Sequence, residues 1–285
     1  MRRLIVGAVL VLVPVLAQAE MPSKAAIKGV ADAYLMKKPA PGFGVSMTMA
    51  EAAVVQGRYN ALLARELGGV VGYKAGLTNP AVQKRFNYDK PIRGTLFAKM
   101  ILSSPARVPA TYGARPVYEA DMIAVVGDAT KLMAAKTPLE AFQALKEIRS
   151  FIELPDLTFG PQVQLDGPNL LAANVVARLG VLGDPIPLPA TAESVAKLGE
   201  MKIEVIDQTG TVLGGGKGAD ILDNPLNAVL WIAESVRAGG KTLKKGDLLS
   251  LGSFSALLPP KAGTTVTVRY IGLTPAPAQV TVTFE

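Results

Sequence analysis

The segment VYEADMIAVVG, residues 117–127, reads as a buried β-strand that carries two acidic residues. Valine, isoleucine and methionine favour burial in a strand, whereas Glu119 and Asp121 do not. A carboxylate removed from water costs several kcal/mol unless a cation or hydrogen-bond donors compensate its charge. Side chains two residues apart point to the same face of a strand. The segment therefore predicts two neighbouring carboxylates and a compensating group on one face of a sheet.

Two interpretations of this acid pair stay open at the level of sequence. A divalent cation between the carboxylates would reverse their mutual repulsion; otherwise that face meets solvent or an arginine. Glu153, in the apolar segment SFIELPDL (residues 150–157), would complete an open oxygen site if it met the first pair. Lys74, in VGYKAGLT (residues 71–78), is a candidate for partial burial. A buried lysine either pairs with an anion or loses its proton easily; otherwise the side chain reaches water.

The composition narrows the possible chemistry. The 285 residues include neither cysteine nor histidine. Disulfides, thiolate catalysis, a Ser-His-Asp triad and histidine-ligated zinc are therefore excluded. Any metal must be bound through oxygen atoms, which favours Mg²⁺, Mn²⁺ or Ca²⁺. Acid–base chemistry falls to Asp, Glu, Lys, Tyr or water.

The first residues of the chain predict export. Arginines at positions 2 and 3 precede an apolar run, residues 4–16, that is too short to span a bilayer. Ala17-Gln18-Ala19 then supplies the small residues that signal peptidase prefers. We predict a signal peptide over residues 1–19 and a periplasmic mature protein. The alternative is an uncleaved N-terminal anchor.

The formal net charge of +7 arises from basic residues that are scattered along the chain. No dense basic run is interleaved with aromatic residues. We therefore expect neither nucleic-acid binding nor, once the signal peptide is cleaved, association with a membrane. A scattered positive charge favours solubility and attracts small anionic ligands.

Helices are predicted mainly in the first part of the chain, and strands in the middle and at the end. Thr48 and Glu51 form a capping box that begins a helix ending before Gly68. The predicted helices cover residues 22–36, 48–67, a short stretch after 79, 137–148, 167–179 and 224–238. The predicted strands cover residues 70–74, pieces of 93–126, 151–154, a hairpin at 201–213 and pieces of 248–284. Because strands and helices do not alternate regularly, we predict an α+β mixed sheet or barrel, not a doubly wound sheet.

Several segments, in order over residues 50–272, resemble one family. These segments are similar to signatures of the 2-keto-4-pentenoate hydratases, which belong to the fumarylacetoacetate hydrolase superfamily. YEADMIAVV resembles the E-A-E metal strand of that family, with Asp121 in place of the second glutamate. FIELPD resembles the segment that carries the third acidic ligand. The other similar segments are GYKAGLTNPAVQKRF (72–86), RGTLF (93–97) and GKGADILDNPLNAVLWIAESVRAGGKTLKKGDLLSLGS (216–253).

The resemblance implies a fumarylacetoacetate-hydrolase-like mixed β-roll or barrel core with peripheral helices. We expect this core over residues 68–285, after an N-terminal helical region over residues 20–67. Homo-oligomers are also implied, although no interface can be read from the sequence.

The resemblance further implies that Mg²⁺ or Mn²⁺ is held by Glu119, Asp121 and Glu153. The metal would act as a Lewis acid on the 2-keto acid end of a small substrate. Lys74 would be catalytic and would bind the same end of the substrate. Asn174 and Ser253 are predicted to bind substrate, although Ser253 could instead serve only close packing.

Two segments depart from the family pattern. The hydratases carry an acid in a P-D-[FY]-G stretch, whereas this chain has Pro91-Ile92-Arg93-Gly94. The family segment A-D-N-A-S-S-G is AANVVARLG here (residues 172–180), which keeps Asn174 but loses the aspartate and the serines. These departures support metal binding more strongly than hydratase turnover.

The leading hypothesis is a divalent-metal-dependent hydratase, a hydro-lyase acting on a small 2-keto or 2-hydroxydienoic acid such as 2-hydroxypenta-2,4-dienoate. Decarboxylation, tautomerisation and C–C hydrolysis use related chemistry and stay open, although the lack of histidine disfavours hydrolysis assisted by an imidazole. The alternative hypothesis is a non-catalytic periplasmic protein that binds a metal and a keto acid. A structural protein without a metal is the third hypothesis.

Overall fold

The computed structural model describes residues 21–285. The predicted signal peptide, residues 1–19, lies outside this range. The helices are α1 Lys24–Leu35, α2 Met49–Leu67, α3 Pro80–Arg85, α4 Ala129–Ala134, α5 Pro138–Gln143, α6 Gly167–Ala172, α7 Ala192–Glu200 and α8 Pro225–Ala238. In the described part of the chain, none of these helices combines the length and apolar character that a membrane span requires.

Two sheets form the centre of the molecule. The strands are β1 Val70–Gly76, β2 Ile92–Phe97, β3 Ile101–Ser103, β4 Ala106–Val108, β5 Glu119–Val126, β6 Leu145–Leu154, β7 Leu179–Ile186, β8 Lys202–Asp207, β9 Val212–Lys217, β10 Leu248–Ser250, β11 Thr264–Ile271 and β12 Ala278–Phe284. The larger sheet has the order β2-β1-β10-β5-β6-β7-β3, and the smaller one has the order β4-β12-β11-β8-β9. Parallel and antiparallel pairs occur in both sheets. The predicted α+β mixed-sheet architecture is confirmed.

The two sheets differ in how their strands are buried. In β11 and β12, buried valine and aromatic residues alternate with threonines, and Thr267 pairs with Thr281 on the outer face. This alternation is typical of a sheet with one buried face. Every residue of β5 is buried. The acids of β5 consequently lie in the interior, where their charge must be compensated.

The N-terminal helices pack onto the core through an apolar cluster of their own. Tyr59 and Leu63 of α2 are fully buried in this cluster, together with Phe97 of β2 and Phe159. The predicted capping box is confirmed, because the Thr48 hydroxyl accepts from the Glu51 N–H and the Glu51 carboxylate accepts from the Thr48 N–H. The helices therefore cover the large sheet at its edge strand, β2.

Two predicted helices are too long. The helix predicted over residues 137–148 ends at Gln143, because Leu145–Leu154 forms β6 and pairs with almost the whole of β5. The helix predicted over residues 167–179 ends at Ala172. In the first case strand pairing determines the conformation of residues whose local pattern is also compatible with a helix. In the second case the chain enters a left-handed turn at 174–176 before β7 begins at Leu179. The short helices α4 and α7 were not predicted.

A buried ion pair connects α1 to the core. Arg178 Nη1 lies 3.2 Å from Asp156 Oδ2 and 3.0 Å from the Tyr34 carbonyl oxygen at the end of α1. The guanidinium also lies 4.5 Å from the centre of the Tyr34 ring. Asp156 accepts further hydrogen bonds from the N–H groups of Ala114 and Arg115. The pair thus holds several separate parts of the chain together.

We predict that Asp156→Ala destabilises the protein by about 3–5 kcal/mol, because it leaves a buried guanidinium without its partner. Urea denaturation measures the change. The control is Glu285→Ala, which breaks the exposed Arg107–Glu285 pair and should cost at most about 1 kcal/mol. Similar losses for the two variants would contradict this account of the Asp156–Arg178 pair.

Candidate active site

The structure brings the four principal predicted site residues together. Glu119 of β5 faces Glu153 of β6 in the strand register, and Asp121 lies two residues farther along the same face of β5. The three acids are between 0% and 8% exposed, and Lys74 of β1 is 3% exposed. All four side chains therefore lie in the interior, as the acid pair in an apolar strand had indicated.

Lys74 is a compensating group for this acidic cluster. Its ammonium donates to Glu153 Oε1 and, at 3.3 Å, to the carbonyl oxygen of Val175. Glu153 Oε2 is buried without a hydrogen-bond partner. Because one ammonium faces three carboxyl groups, the cluster has excess negative charge whenever all three are ionised.

The contact between Lys74 and Glu153 requires a strongly curled sheet. Strands β10 and β5 lie between β1 and β6 in the sheet. Adjacent strands are about 4.8 Å apart, so the backbones of β1 and β6 would be about 14 Å apart in a flat sheet. Curling brings the inner-face side chains of strands two or three places apart into contact. The site is thus a product of the roll shape and not of one local motif.

Asp121 is bound closely by its surroundings. Its Oδ1 accepts hydrogen bonds from the N–H groups of Met122, Leu251 and Gly252, at 2.5, 3.0 and 2.9 Å. Its Oδ2 accepts from the hydroxyl of Ser250. These donors belong mostly to the end of β10 and the loop that follows it. Asp121 therefore fixes that loop against β5.

Burial and the neighbouring Glu153 raise the pKa of Glu119 well above its usual value, against the lowering effects of Lys74 and the Ser253 hydroxyl. Burial, again with Glu153, raises the pKa of Asp121 to about 7, although its hydrogen-bond donors oppose the change. Both carboxyl groups consequently favour either a proton or additional positive charge nearby.

The two glutamates fit a divalent cation better than Asp121 does. Glu119 and Glu153 are buried opposite each other, and an unpartnered carboxylate oxygen is the kind of ligand that Mg²⁺ or Mn²⁺ prefers. Asp121 Oδ1 already accepts three hydrogen bonds, so only Oδ2 could serve as a metal ligand. Over residues 21–285, no group of three or more acidic side chains is already arranged around a metal position. Asp121 would join a cation by turning Oδ2 away from Ser250.

Ser253 lies in the loop after β10, beside Glu119. Its hydroxyl donates to the carbonyl oxygen of Ser255 at 2.5 Å. The Ser255 hydroxyl in turn accepts from the Ala120 N–H at 3.0 Å and lines a cavity of about 580 Å³. This cavity therefore extends to the residues next to Glu119, the most exposed of the three acids.

The sequence predicted Asn174 to bind substrate, but the protein itself occupies its amide group. Asn174 is fully buried. Its Oδ1 accepts from the Thr95 N–H at 2.8 Å and from Asn60 Nδ2 at 3.1 Å, and its Nδ2 donates to the Thr95 carbonyl at 2.9 Å. The side chain is thus bound to both backbone groups of one residue of β2.

The backbone turn that begins at Asn174 is strained. Asn174, Val175 and Val176 have φ values of 56°, 53° and 50°. This left-handed conformation costs about 1–2 kcal/mol for each ordinary residue, and valine adopts it rarely. Such strain persists only where the surrounding contacts compensate it. The turn lies against Lys74 through the Val175 carbonyl.

The two residues that replace the family's acidic stretch serve packing. Ile92 is 3% exposed and belongs to an apolar cluster with Leu77 and Val175. Arg93 donates to the Ser235 carbonyl near the end of α8, and its guanidinium lies 5.4 Å from the centre of the Tyr73 ring. Neither residue supplies a group that transfers protons in the neutral pH range.

Sequence reasoning missed two parts of the site. Ser250, which donates to Asp121, was not singled out, although a serine that ends an apolar strand is a usable signal. The backbone carbonyl of Val175 had no signal, because a carbonyl group is common to every residue. Its role depends on the left-handed turn, which no pattern of valines predicts.

No family model matches the chain. Among solved structures, it resembles 4-oxalocrotonate decarboxylase from Pseudomonas putida G7, complexed with magnesium and adipate. The TM-score is 0.77 at 23% identity, and the match covers 92% of this chain and 97% of the other. A putative fumarylacetoacetate isomerase/hydrolase from Oleispira antarctica matches with a TM-score of 0.56 at 13% identity, over 75% of this chain and 94% of the other. The predicted fumarylacetoacetate-hydrolase-like fold is confirmed.

Curated relatives identify the family. A 2-keto-4-pentenoate hydratase from Burkholderia vietnamiensis is 32% identical over 212 residues, which cover 72% of this chain and 75% of the relative. A second hydratase of that name, from Paraburkholderia phymatum, is 30% identical over 231 residues, or 78% and 82% of the two chains. Both relatives are hydro-lyases by name. With its fold, its converging acids and these relatives, the chain belongs to the 2-keto-4-pentenoate hydratase family.

Proposed function

We propose that the protein is a hydro-lyase that adds water to a small 2-hydroxydienoic acid such as 2-hydroxypenta-2,4-dienoate. The observation that carries this proposal is the convergence of Glu119, Glu153 and Lys74 at one buried position, in a chain that belongs to a hydratase family. The relatives, which are named as hydratases, do not favour a non-catalytic binding protein.

In this proposal Glu119 and Glu153 hold a divalent cation, Mg²⁺ or Mn²⁺, and Asp121 completes the site through Oδ2. When bound, the cation supplies Lewis-acid charge at the 2-keto acid end of the substrate. The raised pKa of Glu119 supports this assignment, because added positive charge would relieve its buried carboxylate. Asp121 also keeps the loop with Ser253 in place beside the two glutamates.

Lys74 is proposed as the catalytic residue that contacts the substrate. Its ammonium group is buried and is held by Glu153 Oε1 and the Val175 carbonyl. A substrate carboxylate or enol oxygen arriving there would receive a hydrogen bond from a charged donor, which is stronger than one from a neutral group. Ser253 is proposed to donate to a substrate oxygen from the neighbouring loop. The cavity lined by Ser255 begins next to this loop, and we propose it as the entrance for a small anion.

We predict that Mg²⁺ or Mn²⁺ raises the melting temperature of the wild type and supports loss of the dienol absorbance of 2-hydroxypenta-2,4-dienoate. Glu119→Gln should lose both effects, because it removes a ligand charge. The matched control is Glu234→Gln, a change on the exposed face of α8, which should behave as the wild type. Product analysis in the same assay separates hydration from decarboxylation and tautomerisation. Unchanged melting and turnover in Glu119→Gln would rule out the proposed metal site.

We also predict that Lys74→Met destabilises the metal-free protein by about 3–5 kcal/mol, because Glu153 then has no partner for either buried oxygen. Adding Glu153→Gln removes the unpaired charge and should restore most of the loss. Urea denaturation in the presence of a chelator measures both variants. If the two changes instead destabilise additively, the buried ion pair does not control the charge of the site.

The periplasmic location is a further part of the proposal, and cell fractionation tests it. We expect the full chain to appear in the periplasm of a Gram-negative host, shortened by its first 19 residues. A variant that starts at residue 20 behind a new methionine should stay in the cytoplasm. Recovery of the uncleaved chain in the membrane fraction would support the N-terminal anchor instead.

A further inference from the structure

We propose that Asn174 is a positioning residue, which holds Lys74 on Glu153 by closing the rolled sheet onto β2. This assignment deepens the proposed function, since it concerns the lysine proposed to contact the substrate. It replaces the substrate-binding role that the sequence predicted for Asn174. Three observations carry it: the way in which the amide is used, the position of the strained turn, and the space around the lysine stem.

The Asn174 amide acts in place of a neighbouring strand. β2 is the edge strand of the large sheet, with only β1 beside it. On its free side, Asn174 Oδ1 accepts from the Thr95 N–H and Nδ2 donates to the Thr95 carbonyl. An amide side chain can satisfy both groups, whereas a carboxylate lacks the donor and a hydroxyl is too short. Because Asn174 leads into β7, near the opposite edge, this contact closes the roll.

The closure places the Val175 carbonyl at Lys74. Val175 follows Asn174 in the left-handed turn, and its carbonyl accepts from Lys74 Nζ at 3.3 Å. Its side chain packs so closely on β1 that a Cβ added to Gly76 would lie 2.4 Å from Val175 Cγ1. Two strained valines would relax to ordinary conformations unless contacts such as the Asn174–Thr95 pair held the turn.

The lysine stem passes through a channel that the same residues form. Gly94 is the partner of Lys74 on β2. A Cβ at Gly94 would lie 2.7 Å from Lys74 Cγ and 2.9 Å from the Asn174 carbonyl oxygen. The stem is therefore confined between Gly94 and the turn, with Glu153 at its end. Loss of the Asn174 amide would open this channel and release the ammonium group.

The test measures the labelling of Lys74 directly, without reference to turnover. The native protein is treated with an N-hydroxysuccinimide acetate reagent, and acetylation of each lysine is followed by peptide mass spectrometry. We expect Asn174→Ala to accelerate labelling of Lys74 by about tenfold relative to the exposed lysines, because a released ammonium group meets solvent. Labelling of Lys74 at the wild-type rate in Asn174→Ala would overturn the proposal.

Two controls separate positioning from general loosening. Asn60→Ala removes the third hydrogen bond to Asn174 and one to the Thr95 hydroxyl. It keeps both hydrogen bonds between the Asn174 amide and the Thr95 backbone and should leave the rate near that of the wild type. Val268→Ala creates a cavity in β11 of the smaller sheet and lowers stability away from the site. Equal acceleration in either control would also overturn the proposal. Should Asn174→Ala fail to fold, Asn174→Leu takes its place with the same expected acceleration, because it removes both hydrogen bonds to Thr95 and keeps the branched shape of the side chain.

Kinetics distinguish positioning from substrate binding if the proposed hydratase activity is found. A positioning role predicts that Asn174→Ala lowers kcat more than it raises KM, since Lys74 is displaced from the reacting groups. A raised KM with unchanged kcat would mark Asn174 as a substrate ligand and contradict the proposal. Failure of the hydratase assay leaves the labelling result intact, so the two proposals fail separately.

Discussion

The buried pairing of Lys74 with Glu153 is the interaction on which the rest of the site depends. It exists only because the large sheet curls until β1 and β6, separated by two strands, present side chains to each other. The same curl brings Glu119 and Asp121 to the lysine. A curled sheet needs closure at its free edge, and the contact between Asn174 and Thr95 provides it. Fold and site therefore share one geometric cause.

The electrostatic balance of the site indicates why the acids are tolerated. One ammonium faces three buried carboxyl groups, and burial together with repulsion from Glu153 raises the pKa of both Glu119 and Asp121. The charge of Asp121 is compensated by hydrogen bonds from Ser250 and from the loop after β10. Glu119 and Glu153 have fewer hydrogen-bond donors around them than Asp121 has. The proposed cation between them would relieve the repulsion that Lys74 leaves.

The sequence predicted much of the fold and the burial of the acids and the lysine because several signals were local. The acid pair in an apolar strand, the lysine between glycines and the capping box at Thr48 each depend on residues close in the chain. The helix predicted over residues 137–148 was too long, because residues from Leu145 onward pair with β5, which is distant in sequence. The hydrogen bonds between the Asn174 amide and the Thr95 backbone could not be predicted either, since they form only when the sheet is rolled closed. Long-range pairing and backbone strain leave no pattern in neighbouring residues.

The most direct measurement is anomalous X-ray scattering from crystals of the mature protein grown with Mn²⁺. The account predicts a single strong anomalous peak bonded to carboxylate oxygens of Glu119 and Glu153, with Asp121 Oδ2 turned toward it. The account would be contradicted by a map from crystals grown in excess Mn²⁺ that shows Lys74 paired with Glu153 but no such peak.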